Sequence, residues 1–255
     1  MILSYKAIYV IVLREFKRFL RQKGRVLVAF ARPLIWLFIV GSGFTRIIDV
    51  SAGTEYIQFI LPGIVGMTIL FSSIFSTISV VWDREFGFLR EMLVAPVSRL
   101  TIVFGKIISG TALSVLQGAG VILVAPLLGL HVGPLDYLLM ILLMSVMAVA
   151  ITSLGLFVAS FLTSLEGFNV IMNFIVLPMF FLSGALYPVG ALPAPLRMVT
   201  FINPLAYGVD AFKHVLLSDR GRLSAELPLY ADVIFIVVFS VIMIAASSYV
   251  FERRK

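Results

Sequence analysis

Residues 57–82 read IQFILPGIVGMTILFSSIFSTISVVW and contain no charged side chain. An apolar α-helix of about 20 residues crosses the roughly 30 Å hydrocarbon core of a bilayer, so this stretch is long enough to span it. The other charge-free stretches are 107–130, 137–165, 167–196 and 233–251. A sixth stretch, 26–44, contains one charge, Arg32, which lies near enough to one end for its side chain to reach the membrane interface. Because lipid offers no partners to free backbone groups, the pattern predicts an all-α integral membrane protein with six transmembrane helices.

The composition of the 255-residue chain supports this interpretation. Hydrophobic residues make up 61% of it and charged residues 13%, against about 45–50% and about 25% in soluble domains. A soluble fold of this size would expose too much apolar surface to water. The absence of cysteine excludes disulfides and thiolate-based catalytic or metal sites. The net charge of +7 comes mainly from basic residues beside the apolar stretches, which indicates membrane orientation and no nucleic-acid partner.

The basic residues also predict an orientation. Fourteen Lys and Arg residues precede the first span, lie between the second and third, or follow the last, whereas five lie on the opposite side, with Arg32 uncounted. The positive-inside rule then places both termini of a multi-pass plasma (inner) membrane protein in the cytoplasm, which agrees with an even number of crossings. The basic stretch before the first span is too long for a signal peptide, so we expect that span to be retained.

Two segments outside the spans have amphipathic patterns. In residues 1–25, apolar residues recur at helical spacing opposite a basic face, which predicts an N-terminal helix in the cytoplasmic interface; a basic leader without fixed structure is the alternative. Residues 83–99 carry charges of both signs around an apolar stripe that consists of Phe86, Leu89, Met92 and Leu93. This stripe predicts a short cytoplasmic helix that either docks on a partner or rests on the membrane surface.

Residues 188–231 are interrupted by prolines, among them Pro193, Pro195 and Pro204, and predict an extracellular segment with short re-entrant helices; an ordinary loop with an interfacial helix is the alternative. The polar side chains inside the spans are only weakly polar. Candidates for the lining of a pathway are Ser72, Ser76, Ser79, Asn169 and Asn173. Close helix packing through small residues and interhelical hydrogen bonds is the favoured interpretation of the same pattern.

The sequence offers little for catalysis. Gly105 and Lys106 are not part of a G-x-x-x-x-G-K-[ST] phosphate loop, and the two histidines, His131 and His214, lie outside any H-E-x-x-H motif. Acidic residues are missing from the interiors of the spans, which argues against an ion-coupled secondary carrier. The best ionisable cluster, around Asp210, Lys213 and His214, has no nucleophile, which argues against a membrane-embedded enzyme. We therefore expect no catalytic residue, metal site or cofactor in this chain.

A family resemblance rests on three motifs. The stretch WDREFGFLRE at 82–91, with APVSR at 95–99 and Gly105-Lys106, resembles the cytoplasmic signature of ABC-2 type export permeases. The stretches NPLAYGVDAF at 203–212 and LPGI at 61–64 are also similar to that family. The resemblance covers essentially the whole chain, 1–255, as a single transmembrane domain.

The resemblance implies an architecture and partners. The chain would be one of two permease subunits of an ABC exporter, expected to be a homodimer in membrane lipid, above separate ATPase subunits that bind ATP and Mg²⁺. Residues 83–99 would contain a coupling helix that sits in a cleft of the ATPase. The coupling residues implied are Asp83, Arg84, Glu85, Phe86, Gly87, Leu89, Arg90 and Glu91. The re-entrant motif implied consists of Asn203, Pro204, Tyr207 and Asp210.

The implied function is export of an amphiphilic substrate. Drugs, lipids and lipid-linked glycans are the classes expected, with the pattern most similar to drug-resistance or lipid-type exporters. Polysaccharide or O-antigen exporters share the fold and are the alternative. Export rather than import is implied by the resemblance alone.

Overall fold

The computed structural model describes residues 4–45, 56–87, 98–217 and 225–253. In these ranges all regular structure is helical, so the predicted all-α class is confirmed for this part of the chain. Short 3-10 turns lie at Ala125–Leu128 and Val189–Ala191. The α-helices are α1 (Tyr5–Arg21), α2 (Lys23–Thr45), α3 (Tyr56–Glu85), α4 (Arg99–Ile122), α5 (Pro134–Ala159), α6 (Leu165–Phe181), α7 (Ala194–Thr200), α8 (Pro204–Leu216) and α9 (Leu229–Arg253).

Five of these helices are long and apolar enough to cross a membrane: α2, α3, α4 with its following turn, α5 and α9. The chain is therefore a multi-pass membrane protein. The predicted span at 167–196 is wrong as a continuous helix, because α6 contains 17 residues and ends at Phe181. Pro178 cannot donate a hydrogen bond within the last turn of α6, and Gly184 has a left-handed φ of 72°. Absence of charge was thus not sufficient to predict a continuous helix, and the count of six spans is not confirmed.

Helix α3 lies at the centre of the bundle. All its residues from Tyr56 to Leu70 are buried, and it packs against α2, α4, α5, α6 and α8. Glycines allow this close packing: a Cβ atom on Gly63 would overlap the backbone of Ala185, and one on Gly110 of α4 would overlap Thr152 of α5. The small residues of the spans therefore bring helix backbones together.

The outer surface of the bundle is apolar. Large hydrophobic side chains are exposed on α2 and α9, among them Ile35, Ile39, Val238, Val241 and Ile242. Apolar surface in water costs about 25 cal/mol per Å² relative to burial, so contiguous exposure on two long helices is typical of a surface that faces lipid or other membrane helices.

Helix α1 is separate from α2 and is capped by the hydroxyl of Ser4. It buries Ile11 and Phe19 and exposes Tyr5 and Tyr9. Ile11 packs against α4 at Gly105, where a Cβ atom would leave it no room. The predicted N-terminal amphipathic helix is thus present, and one of its faces packs on the bundle. The end of the bundle that contains α1 is called the α1 end below.

Candidate functional site

Four charged side chains meet in a buried cluster at the α1 end. Arg14 and Glu15 come from α1, Asp83 from the last turn of α3, and Lys106 from α4. The Lys106 ammonium lies 2.7 Å from Oδ2 of Asp83 and 2.8 Å from Oε1 of Glu15. The Arg14 guanidinium lies 2.8 Å from Asp83 and 2.9 Å from Glu15. Two cations and two anions therefore neutralise each other where three helices join.

Burial makes this charge cluster energetically important. Lys106 is 3% exposed and also donates a hydrogen bond to Ser79 at 2.9 Å. Burial alone would raise the pKa of Glu15, but the nearby Lys106 ammonium and Arg14 guanidinium outweigh that effect and lower this pKa below its ordinary value. Removing one partner from a buried ion pair costs about 3–5 kcal/mol, because an uncompensated charge is left behind. The cluster thus fixes α1 to α3 and α4.

The end of α3 leads from this cluster to the protein surface. Arg84 donates hydrogen bonds to the carbonyls of Ser160 and Leu162, at 2.9 and 2.6 Å, and so attaches α3 to the end of α5. Glu85 is exposed, and Phe86 is 73% exposed. Gly87, with a φ of 81°, turns the chain away from the helix axis.

The residues predicted for coupling therefore divide into two groups. Asp83 and Arg84 make contacts inside the protein, whereas Glu85 and Phe86 are available at the surface. The remainder of the predicted coupling segment, including Leu89, Arg90 and Glu91, lies outside the described residues.

A cavity of about 310 Å³ lies beside the charge cluster, between the α1–α2 pair and the facing parts of α3 and α4. Its cationic lining residues are Arg18, Arg25 and Arg32, and no carboxylate is among the residues that line it. The Arg18 guanidinium stacks 4.5 Å from the centre of the Trp82 ring, and Arg32 lies 5.6 Å from that of Phe71. Cations thus lie directly against aromatic walls.

The polar part of this cavity is small. Gln117 donates a hydrogen bond to the Ser72 hydroxyl at 2.7 Å, and Ser76 also lines the cavity. The other walls are apolar and come from residues such as Val28, Met67 and Leu113. A cavity of this size, with apolar walls and a few charged groups, suits a ligand that has an anionic head and an apolar body.

The residues predicted to line a pathway are not all brought together. Ser72 and Ser76 line the cavity, whereas Ser79 is buried against Lys106. Asn169 and Asn173 are exposed on α6, away from the cavity. The Ser73 hydroxyl donates to that of Ser114 across α3 and α4 at 3.0 Å, an example of the packing alternative.

The motif at 203–212 anchors α8 at the opposite end of the bundle. The Asn203 amide caps α8 at the backbone N–H of Leu205 and donates hydrogen bonds to carbonyls near the end of α6. Pro204 occupies the first turn of α8, where its missing N–H is harmless. Tyr207 stacks on Phe235 of α9, with ring centres 3.8 Å apart. Asp210 accepts hydrogen bonds from the backbone N–H groups that precede α9.

Sequence reasoning missed the cationic parts of the site. Arg14, Arg18 and Arg25 were interpreted only as residues that orient the protein in the membrane, and Lys106 was interpreted in addition as part of a family motif. One signal was present: Glu15 is an acidic residue within the basic N-terminal helix, and it needs a cationic partner if that helix packs on the protein.

Comparisons with known proteins agree with the membrane architecture. The profile of a protein family described as ABC-2 type transporter matches residues 6–217. The ycf38 protein of Cyanophora paradoxa, which is named as a transport permease, is 28% identical over 86% of this chain and 77% of its own length. Nodulation protein J of Rhizobium leguminosarum bv. viciae is 28% identical over 88% of this chain and 85% of its own length. Nodulation protein J of Rhizobium meliloti (strain 1021) is 30% identical over 74% of this chain and 72% of its own length.

Proposed function

The chain belongs to the ABC-2 type transporter family, and on that premise we propose that it is the membrane permease subunit of an ATP-driven exporter. A separate ATPase subunit supplies the energy, since the sequence contains no phosphate-binding loop of its own. A second, identical permease subunit completes the pathway through the membrane. The chain itself performs no covalent chemistry.

In this proposal the α1 end faces the cytoplasm of a plasma-membrane protein. The basic residues of α1, among them Lys17 and Arg21, support that orientation. Helix α6, with 17 residues, is at the short limit for a membrane crossing, so six crossings return the C-terminus to the starting side. Helices α7 and α8 are too short to cross and enter the outer leaflet as re-entrant helices, an arrangement that the burial of α8 supports.

The observation that carries the proposal is the arrangement of the last two turns of α3. Trp82 lines the arginine-lined cavity, Asp83 belongs to the buried charge cluster, and Phe86 is exposed at the surface. Phe86 directly follows the last residue of α3, and its backbone N–H donates a hydrogen bond to the Trp82 carbonyl at 3.0 Å. A displacement of Phe86 is therefore transmitted through α3 to both the cavity and the cluster. A partner that pushes on this surface in an ATP-dependent manner shifts the bundle between two conformations, provided that it binds one of them better.

Within the coupling segment, Phe86 is the apolar anchor and Glu85 sets the register by its charge. A large aromatic side chain that is exposed beside charged residues is typical of a binding hot spot. Asp83 and Arg84 act differently, because they fix the base of the segment to α1, α4 and α5. Movement of the segment is therefore not absorbed locally.

The substrate is an amphiphile with an anionic head, such as an acidic lipid, a lipid-linked glycan or an anionic drug. Arg25 and Arg32 line the cavity and are exposed, whereas aromatic and aliphatic residues of α3, such as Phe71 and Met67, form apolar walls. A guanidinium binds phosphate or carboxylate with two parallel hydrogen bonds, and the walls accept an acyl chain or ring system.

A charge-reversal experiment tests the coupling assignment. The permease and its co-expressed ATPase are reconstituted in phosphatidylglycerol nanodiscs, and ATPase binding and ATP hydrolysis are measured for the F86D variant. We expect binding to weaken by about 30-fold, which corresponds to an anchor worth roughly 2 kcal/mol, with unchanged folding of the permease. The matched control is Y230D, which introduces the same charge at an aromatic residue that is 71% exposed on α9. Normal binding and hydrolysis with F86D would overturn the assignment.

A further inference from the structure

Two acidic residues and a histidine converge at the end of the bundle opposite α1. Asp210 and His214 lie one turn apart on α8, and Asp232 lies in the first turn of α9. One potential ligand atom of each residue lies within 4.8 Å of those of the other two. Nε2 of His214 is 3.9 Å from Oδ2 of Asp232. Two helices therefore direct three side chains with metal-binding atoms to one point.

Asp232 distinguishes this cluster from a chance group of acidic residues. Its side chain is 0% exposed, and within the described ranges neither of its carboxylate oxygens accepts a hydrogen bond. Asp210 differs, because its carboxylate accepts hydrogen bonds from the backbone N–H groups of Glu226 and Leu227 at 2.9 and 2.8 Å. A buried ionised carboxylate without hydrogen bonds is unfavourable, and either a proton or a bound cation must neutralise its charge.

The charges around the cluster do not balance. Lys213 lies beside it, 3% exposed, and interacts electrostatically with Asp210, Glu226 and Asp232. The Lys213 ammonium lies 5.3 Å from the centre of the Phe59 ring. Among the described residues, Arg197 is the second cation at this place, since it lines the same pocket as Asp210, Lys213 and Glu226, so the three carboxylates still outnumber the two cations.

We propose that Asp210, His214 and Asp232 bind one divalent transition-metal cation of the Zn²⁺ type. One imidazole nitrogen and two carboxylate oxygens form a donor set that Zn²⁺ accepts, whereas Mg²⁺ and Ca²⁺ favour oxygen ligands alone. The Leu227 carbonyl, 2.7 Å from Nε2 of His214, provides a further oxygen at the same place. On binding, Nε2 exchanges its hydrogen bond to that carbonyl for the cation.

The cation has a structural consequence. Because the ligands come from both α8 and α9, its binding fixes the short helix before the last span to that span, beside the stacked rings of Tyr207 and Phe235. The inference goes beyond the proposed function and is independent of it, since it needs neither an ATPase nor a substrate.

The two histidines of the chain provide a matched pair for the test. The full chain is purified in detergent without a polyhistidine tag and equilibrated with Zn²⁺; bound zinc is measured by mass spectrometry, and the thermal unfolding midpoint with and without zinc. We expect one zinc per chain and a higher midpoint with zinc. The H214A and D232N variants should bind zinc at least about tenfold more weakly, as loss of a ligand requires, whereas H131A, at an exposed position, should bind normally.

A spectroscopic measurement keeps the proposal falsifiable if a variant does not fold. Co²⁺ added to the wild-type chain should give the visible absorption bands of a protein-bound ion, and Zn²⁺, but not Mg²⁺ or Ca²⁺, should abolish them. Absence of these bands from the folded wild-type protein, equal zinc loss in H131A and H214A, or unchanged binding in D232N would overturn the proposal. Equal displacement by Mg²⁺ would overturn the assigned class of cation.

Discussion

Replacing Lys106 by methionine removes the ammonium at the centre of the buried charge cluster and keeps a side chain of similar length. In the wild-type protein this ammonium lies 2.7–2.9 Å from Asp83, Glu15 and Ser79. In the K106M variant Arg14, whose side chain is 32% exposed, is the one cation among the described residues that still forms ion pairs with the two carboxylates. The cluster is then left with one excess negative charge in a site with little access to water.

Loss of one partner from a buried ion pair costs about 3–5 kcal/mol. Since Arg14 still contacts both carboxylates and is partly screened by solvent, we expect the lower part of that range, about 3 kcal/mol, which is more than a hundredfold in the unfolding equilibrium. The double variant K106M/E15Q restores neutrality, with Arg14 facing Asp83. It should recover at least about 1 kcal/mol of the loss, because the two positions are energetically coupled.

The assay is equilibrium unfolding in mixed SDS and dodecyl maltoside micelles, followed by the fluorescence of Trp82 in a W36F background. Trp82 is a suitable reporter because Arg18 of α1 stacks on its ring. As a control, the K6M variant removes an exposed lysine from α1 and should change the unfolding free energy by less than about 0.5 kcal/mol. A K106M variant as stable as K6M, or a double variant without recovery, would show that the buried charge cluster does not stabilise the bundle.

Three further predictions concern the charge cluster, the cavity and the helix packing. The pKa of Glu15 is lowered in the folded protein, so the ionised Glu15 carboxylate contributes fully to stability above its ordinary pKa of 4.5. This contribution is lost as the pH falls through the lower pKa of the folded state. The difference in unfolding free energy between wild type and E15Q should therefore be constant at neutral pH and vanish in acid. The R25Q variant should bind spin-labelled phosphatidylglycerol about 1–2 kcal/mol more weakly, as measured by electron paramagnetic resonance. The R197Q variant, altered at the opposite end of the bundle, should bind phosphatidylglycerol normally, and R25Q should bind phosphatidylcholine as the wild type does. The G63V variant should lose at least about 1–3 kcal/mol in the unfolding assay, because its side chain overlaps the facing backbone, whereas G24A, with open space around it, should not.

The spans could be predicted from the sequence because lipid forces a charge-free stretch of sufficient length to be helical. Helices α3, α5 and α9 coincide with three such stretches to within a few residues. Within residues 167–196 the helix is shorter than the charge-free stretch, because α6 contains Pro178 in its last turn, ends at Phe181 and is followed by Gly184 with a left-handed φ. Hydropathy measures only the transfer of side chains, and it does not detect where the backbone leaves the helical conformation.

The candidate site was harder to predict because it depends on contacts between distant positions. Glu15 and Lys106 are 91 positions apart and meet only because α1 folds back onto α4. Lys106 was counted among the basic residues between the second and third spans, whereas the structure places it within α4, which begins at Arg99. Ser72 was found as a cavity residue because its helical face could be read from the sequence, whereas no periodicity indicated that Arg18 lies against Trp82.

The central claim, that a partner ATPase engages the end of α3, can be tested directly because the wild-type chain contains no cysteine. In right-side-out and inverted membrane vesicles, the single-cysteine variants F86C and Y230C are labelled with a membrane-impermeant maleimide, with and without the ATPase. We expect F86C to be labelled from the cytoplasmic side and protected by the ATPase, whereas Y230C should be labelled from outside and unaffected by it. Labelling of F86C from outside, or labelling that the bound ATPase leaves unchanged, would show that the ATPase does not engage the end of α3.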